Sequence, residues 1–328
     1  MKLQLFILIL LFPLKGICND SVNEVVARLD EAIENREYFV GKKLSKINEI
    51  KEEHFKKGLN TNASDLFEYY KILSKEYQTF KFDSAFAYAG KLVEIANQLN
   101  NTDKICFAKT EFANILISAG IFNESLNTLK SIDISVASRP VKSFYYSVLS
   151  RGYFDMESFS QSQQFASIYR KNGMTCYDSA MNYMQKESWE YLSLNAQKKL
   201  KLGENDAAIE ILNKLIYNYP LTNDQIAIQL MSLAFTHNIL GDSEKALKYM
   251  AEASIADFRG AKKEAVALLF TANYLFERGD VIRASKYINV ALEDSRFYGS
   301  NFRLWQVSQF LPFIKSKHIV TIEKQKQQ

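Results

Sequence analysis

Side chains able to do acid–base or metal chemistry are sparse in this sequence. His54, His237 and His318 lie far apart, and none belongs to an HExxH motif or to a Cys/His spacing that holds zinc. Cys106 and Cys176 both fall in helical patterns. They read as small core residues, with a disulfide between them as the alternative. There is no phosphate-cradling glycine loop and no GxSxG elbow. Carboxylates are plentiful, but those of "NEIKEEHFKK" have the distribution of a solvated helix face. The Asn-x-Ser/Thr matches at Asn62 and Asn123 are patterns that arise by chance. The expectation is a non-enzyme that calls for no metal or cofactor. What remains is recognition chemistry: Phe67, Tyr70, Tyr77, Asn114, Gln197, Phe235, Asn238, Asn273 and Phe276. Aromatics interleaved with amides suit a saccharide or a peptide, because ring faces stack while amides fix orientation. The alternative is that these rings fill space between long helices. Lys201 alone supplies too little positive charge for a groove that clamps a carboxylate.

The elements that must position these residues follow from punctuation and spacing. The chain has 328 residues with only 12 Gly and 4 Pro, too few turns for a sandwich or barrel. Gly203, Gly241 and Gly279 recur every 38 residues. Seven residues before each stands Ala196, Ala234 or Ala272, and five after stands Ala208, Ala246 or Ala284. Apolar residues follow at Leu212, Met250 and Ile288, then at Leu215, Ala253 and Ala291, and Pro220 closes the first unit. Small residues at matched heights let two helix axes approach, and the glycine serves the turn between them. The apolar positions share a face that the unit cannot bury alone, so units must stack. The pattern resembles the tetratricopeptide repeat with a longer period. Fainter copies carry Ala113, Gly120 and Ser125, then Ala85 and Ala89, where Phe80 replaces the glycine; a degenerate pair occupies 143–187. The expected fold is all-α: a right-handed superhelix of about six helical pairs over residues 61–298. Residues 19–60 are expected to form one long capping helix over the first repeat, and residues 299–328 a terminal capping helix with a basic tail.

Residues 1–18 read as a secretory signal: Lys2, an apolar run from Leu3 to Leu14, then Gly16-Ile17-Cys18 for cleavage. Lipidation at Cys18 is the weaker alternative, because Ile17 stands where a lipobox wants Gly or Ala. Removal of the signal takes away Lys2 and Lys15 and no acids, leaving 39 − 37 = +2. A near-neutral chain offers no electrostatic case for nucleic acid. These features predict an exported, periplasmic location.

Four stretches carry a closer likeness: "LDEAIENREYFVGKKLSKINEIK", "YQTFKFDSAFAYAGKLVEIANQLN", "ISAGIFNESLNTLKSIDIS" and "AEASIADFRGAKKEAVALLFTANYLFERGDVIRASKYINVALEDSRFYGSNFRLWQVSQFLPFI". Together, over residues 21–328, they resemble the sensor half of a Bacteroidetes family of membrane-anchored transcription regulators, the starch-utilisation-regulator-like proteins. The resemblance implies a periplasmic helical-repeat domain, followed in the family by one membrane helix, a coiled coil and a cytoplasmic DNA-binding region. The sequence runs to "KSKHIVTIEKQKQQ", where that membrane helix would begin, so it reads as a truncated sensor or as a member without the output half. The functional expectation is a sensor domain for a carbohydrate or glycan signal, able to pair as a homodimer and touching the membrane only through a C-terminal helix. The runner-up is a freestanding periplasmic adaptor for a protein or peptide partner in envelope assembly.

Overall fold

The computed structural model describes residues 20–58 and 62–326, so the expected signal at 1–18 lies outside the described residues. Among the described residues there are sixteen α-helices, a short 3-10 turn and no strand. Six pairs form the array: α3 (Ala63–Gln78) with α4 (Phe82–Gln98), α5 (Thr102–Ala119) with α6 (Phe122–Lys130), and α7 (Arg139–Phe159) with α8 (Gln163–Asn182). They continue as α9 (Trp189–Lys201) with α10 (Asn205–Asn218), α11 (Asn223–Ile239) with α12 (Ser243–Arg259), and α13 (Val266–Glu277) with α14 (Val281–Tyr298). None of the described helices is long and apolar enough to cross a membrane.

The repeated small residues perform the packing that their spacing predicts. Around Gly203 and Gly241, Ala196, Ala208, Leu212, Leu215, Ala234, Ala246, Met250 and Ala253 are all at 0% exposure, as are Ala272, Ala284, Ile288 and Ala291. In the fainter copy, Ser125 takes the alanine position and its hydroxyl donates to the Ala113 carbonyl at 2.9 Å. That bond ties α6 to the α5 backbone at the crossing. Gly203, Gly241 and Gly279 adopt φ of 78°, 79° and 87° with open space around them. Conformation, not room, is what glycine supplies there. Gly120 (φ 80°) needs both, since a Cβ there would sit 2.6 Å from the Cβ of Phe302.

The two ends depart from the expectation. The single N-terminal helix is two, α1 (Val22–Glu34) and α2 (Arg36–Lys57), parted at Asn35, whose side-chain amide donates back to the Glu31 carbonyl. Only α2 lies on the first repeat, packing Ile47 with Leu73 and Tyr77. α1 instead buries Val25, Val26, Leu29 and Ile33 against Leu247, Ile255, Leu268 and Tyr287 of the last two pairs. The reason is matched apolar faces: α12 and α14 offer Leu247, Ile255, Tyr287 and Ile288 to α1, and α12 also touches α2. The terminal segment is likewise two helices, α15 (Asn301–Ser308) and α16 (Leu311–Lys326). α15 turns back onto α5 through the Ser300 hydroxyl, which donates to the Ser118 carbonyl at 3.3 Å.

The superhelix therefore meets itself along a seam. Between α12 and α13 the chain makes an irregular loop in which Ala261 and Ala265 both take left-handed φ, 53° and 58°, at a cost that only surrounding contacts can hold. Ala261 packs with Ile47, Phe80 and Ile115. The Lys263 amide donates to the Thr79 carbonyl at 2.8 Å, and the Tyr298 hydroxyl donates to the Gln78 carbonyl at 2.9 Å. Charges are buried here too: Lys263 Nζ pairs with Asp294 at 2.7 Å, Arg303 with Glu264 at 2.7 Å, and Lys262 lies between Asp257 and Glu264 at 3.6 and 3.7 Å. Burial pushes the Asp257 carboxyl up to about 6, with Lys262 only partly opposing it and Asp224 and Glu264 adding to it. Burial also works against the Glu264 charge, but Arg303, Lys262 and Arg151 outweigh it and hold that carboxyl down to about 2.

Ala246→Leu, which overfills a fully buried helix crossing, is expected to cost about 1–3 kcal/mol in chemical denaturation, whereas Gly241→Ala costs only about 1 kcal/mol, from its left-handed backbone. A second expected outcome concerns pH. Folded Asp257 takes its proton near pH 6, well above the ordinary aspartate range of the unfolded chain, so the folded state binds more protons in between. The Asp257 contribution therefore makes stability rise as pH falls through that window, by up to about 3 kcal/mol. Glu264 acts oppositely: its contribution is full above about pH 4.5 and is lost as pH falls towards 2. Thermal unfolding should show a maximum at about pH 4, where the two windows overlap and cancel, and Asp257→Asn should flatten the limb above it.

Candidate ligand-binding cleft

An aromatic cleft of about 530 Å³ opens where α6, α7, α8 and α15 come together. α6 contributes Phe122, Asn123 and Leu126 from its first turns; α7 contributes Met156 and Phe159 from its last; the connection supplies Ser160 and Gln161; α8 contributes Phe165 and Tyr169, and α15 contributes Trp305. The local chain explains the mouth. α7 ends when Ser160 turns extended (φ −72°, ψ 124°), and its hydroxyl exchanges hydrogen bonds with Ser162, accepting from the amide at 3.3 Å and donating to the carbonyl at 3.1 Å. That turn carries both Phe159 and Phe165 into the cleft lining. Phe165 and Tyr169, one helical turn apart, stack at 6.4 Å.

The rings form one network. Phe159 meets Trp305 edge-on at 4.8 Å and Phe302 at 5.8 Å; Phe302 lies parallel to Trp305 at 6.0 Å and edge-on to Phe122 at 5.6 Å. Yet Phe159, Phe165 and Trp305 remain 45%, 53% and 39% exposed, so ring faces are presented to solvent. Asn123, Gln161 and Ser160 supply neutral donors and acceptors at the edge. Below, Arg170 and Lys201 both pair with the buried Glu157, at 2.6 and 3.0 Å, so their charge is engaged locally. The cleft's lining carries no charged group. It offers stacking surfaces and neutral hydrogen bonds, the chemistry of an uncharged polar ligand. Among the described residues no group of three His, Cys, Asp or Glu is placed to hold a metal ion.

The residues read from the sequence as a groove divide into two sets. Phe67, Tyr77 and Asn114 are buried. The Phe67 ring packs with Leu92 and Ala108, the Tyr77 hydroxyl accepts from Lys51 at 3.0 Å, and Asn114 Oδ1 accepts from Arg151 at 2.7 Å. Tyr70 is half-buried beside Tyr69 and Tyr88. These four do not line the aromatic cleft: α4 and α5 cover Phe67, α2 and α4 cover Tyr77, and Arg151 of α7 holds Asn114. The second set falls on neighbouring helices α9, α11 and α13. Gln197 donates to Ser232, Asn238 accepts from Tyr274, Asn273 donates to Glu277 at 2.8 Å, Phe235 meets Phe270 edge-on at 5.1 Å, and Phe276 packs against the core that α1 shares. The structure brings them into one row of side chains bonded to their neighbours. His237 is buried, 3.8 Å from Asp242 and stacked on Tyr249; burial, then Lys245, holds its pKa down. Cys106 and Cys176 are both free and buried.

Sequence reasoning missed the cleft because its walls come from three distant segments. The signals were present locally: "YFDMESFSQSQQF" clusters rings around a Ser/Gln turn, and "NFRLWQ" places a tryptophan beside them.

No curated protein matches the sequence. Among solved structures, the chain is similar to TTC0263, a thermophilic TPR protein of Thermus thermophilus, at 17% identity over 60% of this chain and 91% of that one, with a TM-score of 0.43. It is also similar to the TPR2AB domain of yeast Sti1, solved as a pHSP90 complex, at 12% identity over 88% and 99% of the two chains, with a TM-score of 0.34. The model of the SusR N-terminal TPR domain matches residues 33–309, from within α1 to just past α15, and the chain belongs to that family.

Proposed function

We infer that this chain is the non-catalytic, periplasmic sensing region of a transcription regulator, and that its signal is a saccharide held in the aromatic cleft. One observation carries the ligand class: three exposed rings and a rim of neutral amide and hydroxyl groups with no charge between them. A sugar ring presents an apolar C–H face to an aromatic plane and hydroxyls to amides. The periplasmic part rests on the signal pattern of residues 1–18, and the regulatory part on family membership. A helical array suits recognition followed by a change of curvature, since small rotations per repeat add along its length.

A protein or peptide partner is the second reading. It is favoured by Leu202, Ile239 and Leu240, which stand 50–69% exposed at the C-terminal ends of α9 and α11.

Trp305 is one of two tryptophans and sits in the cleft, so its fluorescence reads occupancy. A panel of neutral α- and β-linked gluco-, xylo- and manno-oligosaccharides is expected to include one that quenches it and raises Tm by linkage. Trp305→Ala should weaken that binding at least about fivefold, the loss of about 1 kcal/mol of ring contact. A panel that neither quenches nor stabilises would sink the saccharide. A stoichiometric protein recovered from periplasmic extract without added sugar would favour the second reading.

A further inference from the structure

The cleft is not built by the repeats alone. Phe122 and Phe159 belong to the second and third helical pairs, on α6 and α7, while Phe302 and Trp305 belong to α15. The same short α15 also closes the seam. Ser300 at its start donates to the Ser118 carbonyl, and Arg303 donates to Glu264 of the α12–α13 loop at 2.7 Å. Phe302 rests on Gly120 so closely that no Cβ fits. One face of α15 is thus a wall of the cleft, and the other is the bolt of the ring.

We propose that a ligand in the aromatic cleft acts as a clamp across the seam, and that α15 is the element whose position reports occupancy to α16. The proposal rests on the cleft being the binding site, and the ligand class is a separate matter. The physical argument is one of differential affinity. A ligand touching both walls loses the contacts of one wall when the seam parts, so it favours the closed state, and closure must favour the ligand by the same factor. The seam is suited to two states because it is held by buried ion pairs and two left-handed alanines, a joint that is either made or broken. α15 runs into α16 through only Gln309 and Phe310, so displacement of the first moves the root of the second.

The Lys263 amide reports seam opening, because its hydrogen-bond acceptor, the Thr79 carbonyl, lies across the seam. Amide hydrogen exchange on the whole chain is expected to show Phe159→Ala accelerating Lys263 and residues 300–308 at least about fivefold without ligand, the mark of about 1 kcal/mol of lost ring contact, with α9–α11 unchanged. Arg303→Met should accelerate the same amides. Should Arg303→Met fail to fold, Phe159→Leu at the exposed lip provides the milder variant. Unchanged exchange at Lys263 in both Phe159 variants would overturn the coupling. With maltohexaose and cellohexaose as probes, an oligosaccharide that quenches Trp305 and slows Lys263 supports the clamp. One that quenches Trp305 yet leaves Lys263 untouched overturns it while sparing the saccharide reading. If neither probe binds but Phe159→Ala still opens the seam, the coupling of the cleft wall to the seam is supported and these two saccharides are not its ligands.

Discussion

Charge sealed inside the closing joint is the constraint on which the structure depends. Lys263, Glu264 and Arg303 are almost wholly withdrawn from water, and Lys262 nearly so. Each such group forfeits hydration worth several kcal/mol unless partners replace it. Glu264 obtains Arg303 and Lys262; Lys263 obtains Asp294; Asp257 has only Lys262, at 3.6 Å, and burial raises its carboxyl to about 6. These pairings can be satisfied only in one arrangement of the last repeats against the first. Apolar packing alone would tolerate sliding, whereas a buried ion pair does not, so the charges fix where the superhelix stops curling.

That constraint explains why an array built for an open inner wall has so little of one. The side that would be a continuous groove is occupied, at the first three pairs, by α2, by the α12–α13 loop and by α15. The surface left uncovered lies where the filling ends: the aromatic cleft at α6–α8, and the side chains of α9, α11 and α13. Two features that look unrelated, a strained loop and an aromatic cleft away from the first repeats, share one cause.

The architecture was legible because it is local and repeated. Alanines at −7 and +5 around Gly203, Gly241 and Gly279 describe contacts within a helical pair, and spacing along the chain is enough to reveal them. The pairs without a clean glycine were also readable, since Ala85, Ala89 and Ser125 keep the small positions. What could not be read was everything joining residues more than a repeat apart. The stripe of Val25, Leu29 and Ile33 announces an amphipathic helix but not that its partner is Tyr287, and nothing in "NFRLW" says that Phe302 will lie on Gly120. The groove expected at Phe67, Tyr77 and Asn114 is filled by nearer elements: α4 and α5 cover Phe67, α2 and α4 cover Tyr77, and Arg151 of α7 bonds Asn114.

The docking of α1 has an implication for how the molecule is made. The Tyr287 hydroxyl donates to the Val26 carbonyl at 3.4 Å, and Arg28 and Asp30 find their charged partners on α12 and α14. Contacts between segments so far apart along the chain carry a heavy loop-closure penalty and form late. As the polypeptide is synthesised, α1 emerges early yet has nowhere to settle until α12 and α14 have followed. Until then Val25, Leu29 and Ile33 present a bare greasy edge, vulnerable to proteases and to mispairing with a neighbour. A helix made before α12 and α14 is thus among the last to find its place.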